Sequence, residues 1–183
     1  MMLSRSVVTV LAIIFLVGCA SSAESPRVHS DLTAVQAQQT IRGYMTDVLR
    51  SLPVGAALSK TPDNPGLAVK NHVKPLPNPC WDGNEKSSGP RYLRVGYWIT
   101  GLPVGRVSEE FLAIQEAWKR NGWQVDSSIP SVSKAALPDG YGLQLQDAGK
   151  GDGSLSLTGF SPCVPESTIA ELQPDPTTIE RPS

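Results

Sequence analysis

The residues with the widest chemical choice in this chain are its three cysteines, Cys19, Cys80 and Cys163. A thiol can carry lipid, close a disulfide, exchange electrons or ligate a metal, and its spacing and neighbours decide among these. Cys19 ends the apolar run Ala12-Ile13-Ile14-Phe15-Leu16-Val17-Gly18 and is followed by Ala20, Ser21 and Ser22. Cys80 and Cys163 instead sit in proline-flanked segments, Asn78-Pro79-Cys80-Trp81-Asp82 and Ser161-Pro162-Cys163-Val164-Pro165. There is no Cys-x-x-Cys, and His29 and His72 fall in a spacer and a loop, which argues against redox or metal chemistry.

Other reactive patterns are missing. The chain has no Gly-x-Ser-x-Gly elbow and no His-Glu-x-x-His, and neither histidine lies in a segment rigid enough to position a general base. Glu109 and Glu110 are neighbours on a helix, so they project in different directions and suit the helix dipole better than a carboxylate pair. Residues 148–153, Ala-Gly-Lys-Gly-Asp-Gly, lack the serine or threonine of a phosphate loop and the acidic spacing of a calcium hand, so a hairpin connection is expected. No cofactor or metal is expected, and the chain reads as a non-enzyme.

The apolar run from Val7 to Val17 follows Arg5 and is well short of the roughly twenty residues a membrane-spanning helix needs. A basic start, a short apolar core and small residues at its end make residues 1–18 a secretory signal. Leu16-Val17-Gly18-Cys19 resembles the lipobox of bacterial lipoproteins. That resemblance implies a diacylglyceryl group on the Cys19 thiol, cleavage before it, and a body held on the extracytoplasmic face of the cell membrane. Several acyl chains make a firm anchor, because each buried methylene contributes about 0.8 kcal/mol. With Cys19 assigned to lipid, Cys80 and Cys163 are a pair in an oxidising space, where a disulfide is the expected state. Closing so long a loop contributes about 4 kcal/mol in the chain-entropy account. The formal charge of -1, made more negative when Arg5 leaves with the signal, gives no basic footprint for nucleic acid.

These residues need elements to hold them. Residues 19–30 read as a lipidated tether, 31–164 as one domain, and 165–183 as a polar tail, loosely packed or frayed. Ala34, Ile41, Met45, Val48 and Leu52 recur at helical spacing, with Ser30 or Asp31 to cap the start and Pro53 to limit the end. The proline-rich stretch 53–90 reads as a surface wrap pinned by Cys80, with Gly66-Leu67-Ala68-Val69 a candidate edge strand. In residues 91–100, Leu93, Val95, Tyr97 and Ile99 alternate with Tyr92, Arg94, Gly96, Trp98 and Thr100, the pattern of a strand with one buried face. A second helix is expected over 108–121, capped by Ser108, stapled by Val107 on Leu112 and buried through Phe111, Ile114 and Trp118. Three further strands follow, at 123–129, 141–147 and 154–160.

This order predicts an α+β two-layer sandwich, with two helices on one face of a mostly antiparallel sheet of four or five strands. The uncovered face would carry Tyr92, Arg94, Trp98, Gln124, Asp126, Gln144, Gln146, Ser156 and Thr158. Of these, Tyr92, Arg94, Trp98, Gln144 and Gln146 form the candidate binding face, since rings offer contact area and amides offer hydrogen bonds to a glycan, a lipid headgroup or a peptide.

The whole layout of lipobox, spacer, small α+β body and two Pro-Cys segments looks like the small lipoproteins of mycobacteria and related actinobacteria. The resemblance implies a cell-envelope lipoprotein and carries over one functional residue, Cys19. The expected function is a membrane-anchored, non-enzymatic binding or scaffolding module with an envelope glycan, lipid or protein as ligand. The alternatives are an envelope enzyme or enzyme inhibitor, and a lipid or glycolipid carrier.

Overall fold

The computed structural model describes residues 28–64, 66, 71–81, 88–147 and 154–182. Cys19 and the whole signal region, most of the candidate strand at 66–69, and the glycine-rich 148–153 lie outside the described residues.

The first helix, α1, spans Ala34–Arg50 and buries Ala34, Ala37, Gln38, Ile41, Met45, Val48 and Leu49. Its cap is Thr33 and not Ser30 or Asp31. The Thr33 hydroxyl accepts from the Gln36 N–H (3.2 Å), and the Gln36 carboxamide oxygen accepts from the Thr33 N–H (2.9 Å), a reciprocal box that satisfies two otherwise orphaned donors. The second helix, α2, spans Val107–Arg120 and starts one residue before the expected Ser108. No side chain caps it, and Leu112 is solvent-exposed, so the expected staple does not form. Its start is stabilised electrostatically instead, by Glu109 and Glu110 in the first turn, with Arg106 reaching both (2.6 and 3.4 Å).

The strands are β1 (Ala57–Ser59), β2 (Leu76–Pro79), β3 (Arg91–Thr100), β4 (Gln124–Ile129), β5 (Val132–Ala136), β6 (Gly142–Asp147), β7 (Leu155–Phe160) and β8 (Thr178–Glu180). They form one antiparallel sheet in the order β4-β5-β6-β7-β3-β1-β8, with β2 paired to the first part of β3. The expectation of a four- or five-stranded sheet carrying two helices is therefore wrong: among the described residues the sheet has eight strands. A third helical segment, the 3-10 helix Glu166–Glu171, also lies on α1, where the Thr168 hydroxyl accepts from the Ala34 N–H (3.0 Å).

The additional strands explain the miscount. β1 and β8 have three residues each, too few for an alternation to register, and β2 is Leu-Pro-Asn-Pro, a composition admissible only at a sheet edge. β5 falls between the strands expected at 123–129 and 141–147, in a stretch for which no element was expected. The polar tail is part of the fold: Leu172 is buried, and β8 pairs with β1, Ser59 opposite Thr178.

Alternation along β3, β6 and β7 sends Leu93, Val95, Tyr97, Leu143, Leu145, Leu155 and Leu157 inward, where they meet the buried stripes of both α-helices in one core. Each fully buried leucine or isoleucine there contributes about 1.5–3 kcal/mol. The disulfide Cys80–Cys163 joins the residue after β2 to the segment after β7, with Cα atoms 6.1 Å apart. Because β3 and β7 are antiparallel neighbours, the start of one lies beside the end of the other, as the bridge requires. The His29 N–H also donates to the Cys163 carbonyl (3.0 Å).

Between β2 and β1 the outer edge of β3 has, among the described residues, no strand partner at Val95, Gly96 and Tyr97. Lys60 fills the gap. Its ammonium donates to the Gly96 carbonyl (2.9 Å) and to Asp175 Oδ2 (3.3 Å), and sits 3.6 Å from the centre of the Tyr97 ring. Gln38 donates to Asp175 Oδ1 and to the Gln173 carbonyl (2.8 Å each), and the Tyr97 hydroxyl donates to the Pro176 carbonyl (2.8 Å). Lys60 and Asp175 are 3% and 4% exposed, so this network ties the C-terminal segment to α1 and the sheet from inside. Burial holds the Lys60 ammonium below the usual lysine range, against the pull of Asp175, and raises the Tyr97 phenol above the usual tyrosine range.

Candidate functional site

The opposite face of the sheet carries the residues expected to bind. Register aligns them in rows across the strands. One row runs Gln124, Ala136, Gly142, Phe160, Arg94, and the next runs Asp126, Lys134, Gln144, Thr158, Gly96. A third contains Val132, Gln146, Ser156 and Trp98. All five predicted residues, Tyr92, Arg94, Trp98, Gln144 and Gln146, thus occupy outward positions of their strands.

They do not form one cluster. Asn71 lies over Gly96, between Arg94 and Trp98, so closely that a Cβ on Gly96 would come 2.7 Å from Asn71 Oδ1. On one side of this divide, Tyr92 packs against Phe160, ring centres 6.4 Å apart and planes tilted by 48°. Beside that pair runs a shallow groove of about 680 Å³. Its origin is a matter of side-chain size: Ala136 and Gly142, the two smallest members of their row, lie between Phe160 and Gln124. Gln144, Asp126 and Lys134 continue the lining in the adjacent row. Asp126 and Lys134 stand directly opposite each other. Hydrogen bonds from Ser128, backbone first, hold the Asp126 carboxyl below the usual carboxylate range, with Lys134 adding to the effect.

On the other side, Trp98 lines a concavity of about 480 Å³ where β3 ends, together with Pro62, Asp63, Leu102, Val104 and Ser108. Part of its wall is the second of two Leu-Pro-Val-Gly segments, 52–55 and 102–105. Each makes a turn closed by an N–H donated back to the proline carbonyl (3.1 Å), leaving Val54 and Val104 in solvent. Gln146 is exposed beside Ser156 and does not line the groove. Among the described residues, no three His, Cys, Asp or Glu side chains are grouped so as to hold a metal ion.

Sequence reasoning passed over four residues that shape the groove, Phe160, Lys134, Ala136 and Gly142. Phe160 was legible, since the period of two through Ser156 and Thr158 places it outward. Lys134 required β5, which was not foreseen, and Gly142 matters through the side chain it lacks. Comparison with protein-family models, with curated proteins and with solved structures finds no match to this chain.

Proposed function

We propose that this chain is a non-enzymatic binding module of the cell envelope, held to the membrane by lipid on Cys19, and that it binds ligand on the outer face of its sheet. The observation that carries this reading is the outer face itself, which sets rings, amides and two concavities on one rigid antiparallel scaffold. The Cys80–Cys163 disulfide supports an oxidising, extracytoplasmic setting, because such bonds persist where thiols are not kept reduced. A lipid carrier has less support, as the space between helices and sheet is occupied by fully buried Trp118, Tyr97, Ile41 and Met45.

Co-sedimentation of the full-length protein with delipidated envelope material tests the binding reading. Retention should fall at least tenfold, about 1.4 kcal/mol, in a Trp98→Ala/Phe160→Ala double variant. Undiminished retention by a folded double variant would refute the assignment of the face. Cys19→Ser should move the protein from the membrane to the soluble fraction, and its continued membrane association would refute the anchor.

A further inference from the structure

We infer that the groove between Phe160 and Gln124 is a binding site for a neutral oligosaccharide, an inference that rests on reading the outer face as a ligand-binding surface. Its floor is the bare sheet at Ala136 and Gly142, so a flat, rigid ligand can approach the backbone closely. Along one side stands the Phe160 ring, braced by Tyr92. The C–H face of a pyranose stacks on such a ring, a contact that is apolar and tolerant of linkage and register.

Selectivity follows from the polar lining. Gln124 and Gln144 each offer two donors and an acceptor with two lone pairs, which suits hydroxyl groups that both donate and accept. The two charged residues, Asp126 and Lys134, oppose each other across strands β4 and β5 and cancel, so the described lining has no net charge. Within this lining a polyanion or a polycation finds no complementary charge, and Arg94 stands beyond the Phe160 ring, whereas the hydroxyls of a neutral chain can replace water on the amides. An extended peptide would gain most by hydrogen bonding to a strand edge, and the floor of the groove lies on the faces of β5 and β6, whose backbone donors and acceptors are used in pairing on both sides.

Isothermal titration of the full-length protein in a non-glycosidic detergent tests the inference, with cellohexaose and maltohexaose as neutral probes and hexagalacturonate as the anionic one. At least one neutral hexasaccharide should bind with a Kd below about 1 mM and be preferred to hexagalacturonate. Phe160→Ala should weaken it at least tenfold, and Val54→Ala, on the exposed turn 52–55 outside the groove lining, should leave it unchanged. Gly142→Val should abolish it while keeping the fold, because a Cβ there meets nothing closer than 3.6 Å and the added methyls enter the groove. That variant keeps the test decisive if Phe160→Ala folds poorly. Absence of binding by both neutral probes at about 10 mM, equal binding by folded Gly142→Val, or preference for hexagalacturonate would overturn the inference. Retention on envelope material despite that result would leave the binding face standing and remove only the saccharide; loss of both would remove both.

Discussion

The two faces of this sheet are built from the same strands, and they obey different rules. On the inner face, every position is committed: side chains of β3, β6 and β7 meet α1 and α2 in a single core, and even the polar groups there, Gln38, Lys60 and Asp175, are tied to one another. On the outer face, away from Gly96 beneath Asn71, neighbouring positions hold Ala136, Gly142, Gln144 and the half-buried Phe160 ring, and at Gly142 the packing leaves room for a larger side chain. The contrast teaches where to look for selection by ligand. On the binding reading proposed above, a ligand would meet the rows of this face where the fold leaves residue identity open, at the groove between Phe160 and Gln124.

Perturbing the inner face should therefore cost stability, most of all at Asp175. Asp175→Asn strands the Lys60 ammonium in the core, and the expected loss is about 3–5 kcal/mol by chemical denaturation at neutral pH. Lys60 is already held below its usual range by burial, so in this variant it binds fewer protons folded than unfolded between its folded value and about 10.4. Stability of the variant should thus recover as pH rises through that window. A replacement that removes both charges, Lys60→Met with Asp175→Leu, should restore most of the loss, since apolar substitutes for a buried pair are often neutral.

A pair of glycines on adjacent strands sharpens the contrast at smaller scale. Gly159 faces inward, and a Cβ there would lie 2.4 Å from Ile41 Cγ2, so Gly159→Ala should cost about 1–3 kcal/mol through overpacking. Gly142, one position away in register and outward, has room, and Gly142→Ala should change thermal stability by less than about 0.5 kcal/mol. Similar costs at both sites would erase the distinction between the faces.

The smallest effect is a pH slope. Burial, then the Asp175 charge, raises the Tyr97 phenol, so the folded state keeps a proton that the unfolded chain releases above about 10. Its contribution is present below that pH and is lost as pH climbs through the folded value. Tyr97→Phe should remove about 1 kcal/mol at neutral pH, for the hydrogen bond to the Pro176 carbonyl, and flatten the decline above pH 10 relative to wild type. An unchanged alkaline slope would contradict this assignment.

How much of this was legible depended on length and on partners. The long elements were read because periodicity over ten or more residues is a strong signal: Leu93, Val95, Tyr97 and Ile99 specified which face of β3 is buried, and Phe111, Ile114 and Trp118 did so for α2. Short strands have no such redundancy. β1 and β2 exist because β3 offers an edge at the right place, and β8 because β1 does in turn, tertiary facts that three or four residues cannot announce. The cap at Thr33 was overlooked although Gln36, three residues on, completes its box. The outward positions of Tyr92, Arg94, Trp98, Gln144 and Gln146 were readable from alternation alone. Their division by Asn71, and the groove made by Ala136 and Gly142, depend on cross-strand register and on a loop contact, which alternation within one strand does not encode.

The most direct test of a folding face opposed to a binding face is retention on delipidated envelope material by Gly142→Val and Gly159→Ala, compared at equal folded concentration. Gly142→Val should fold as wild type and lose retention, whereas Gly159→Ala should be less stable yet keep it. Full retention by Gly142→Val, or loss by folded Gly159→Ala alone, would contradict the account.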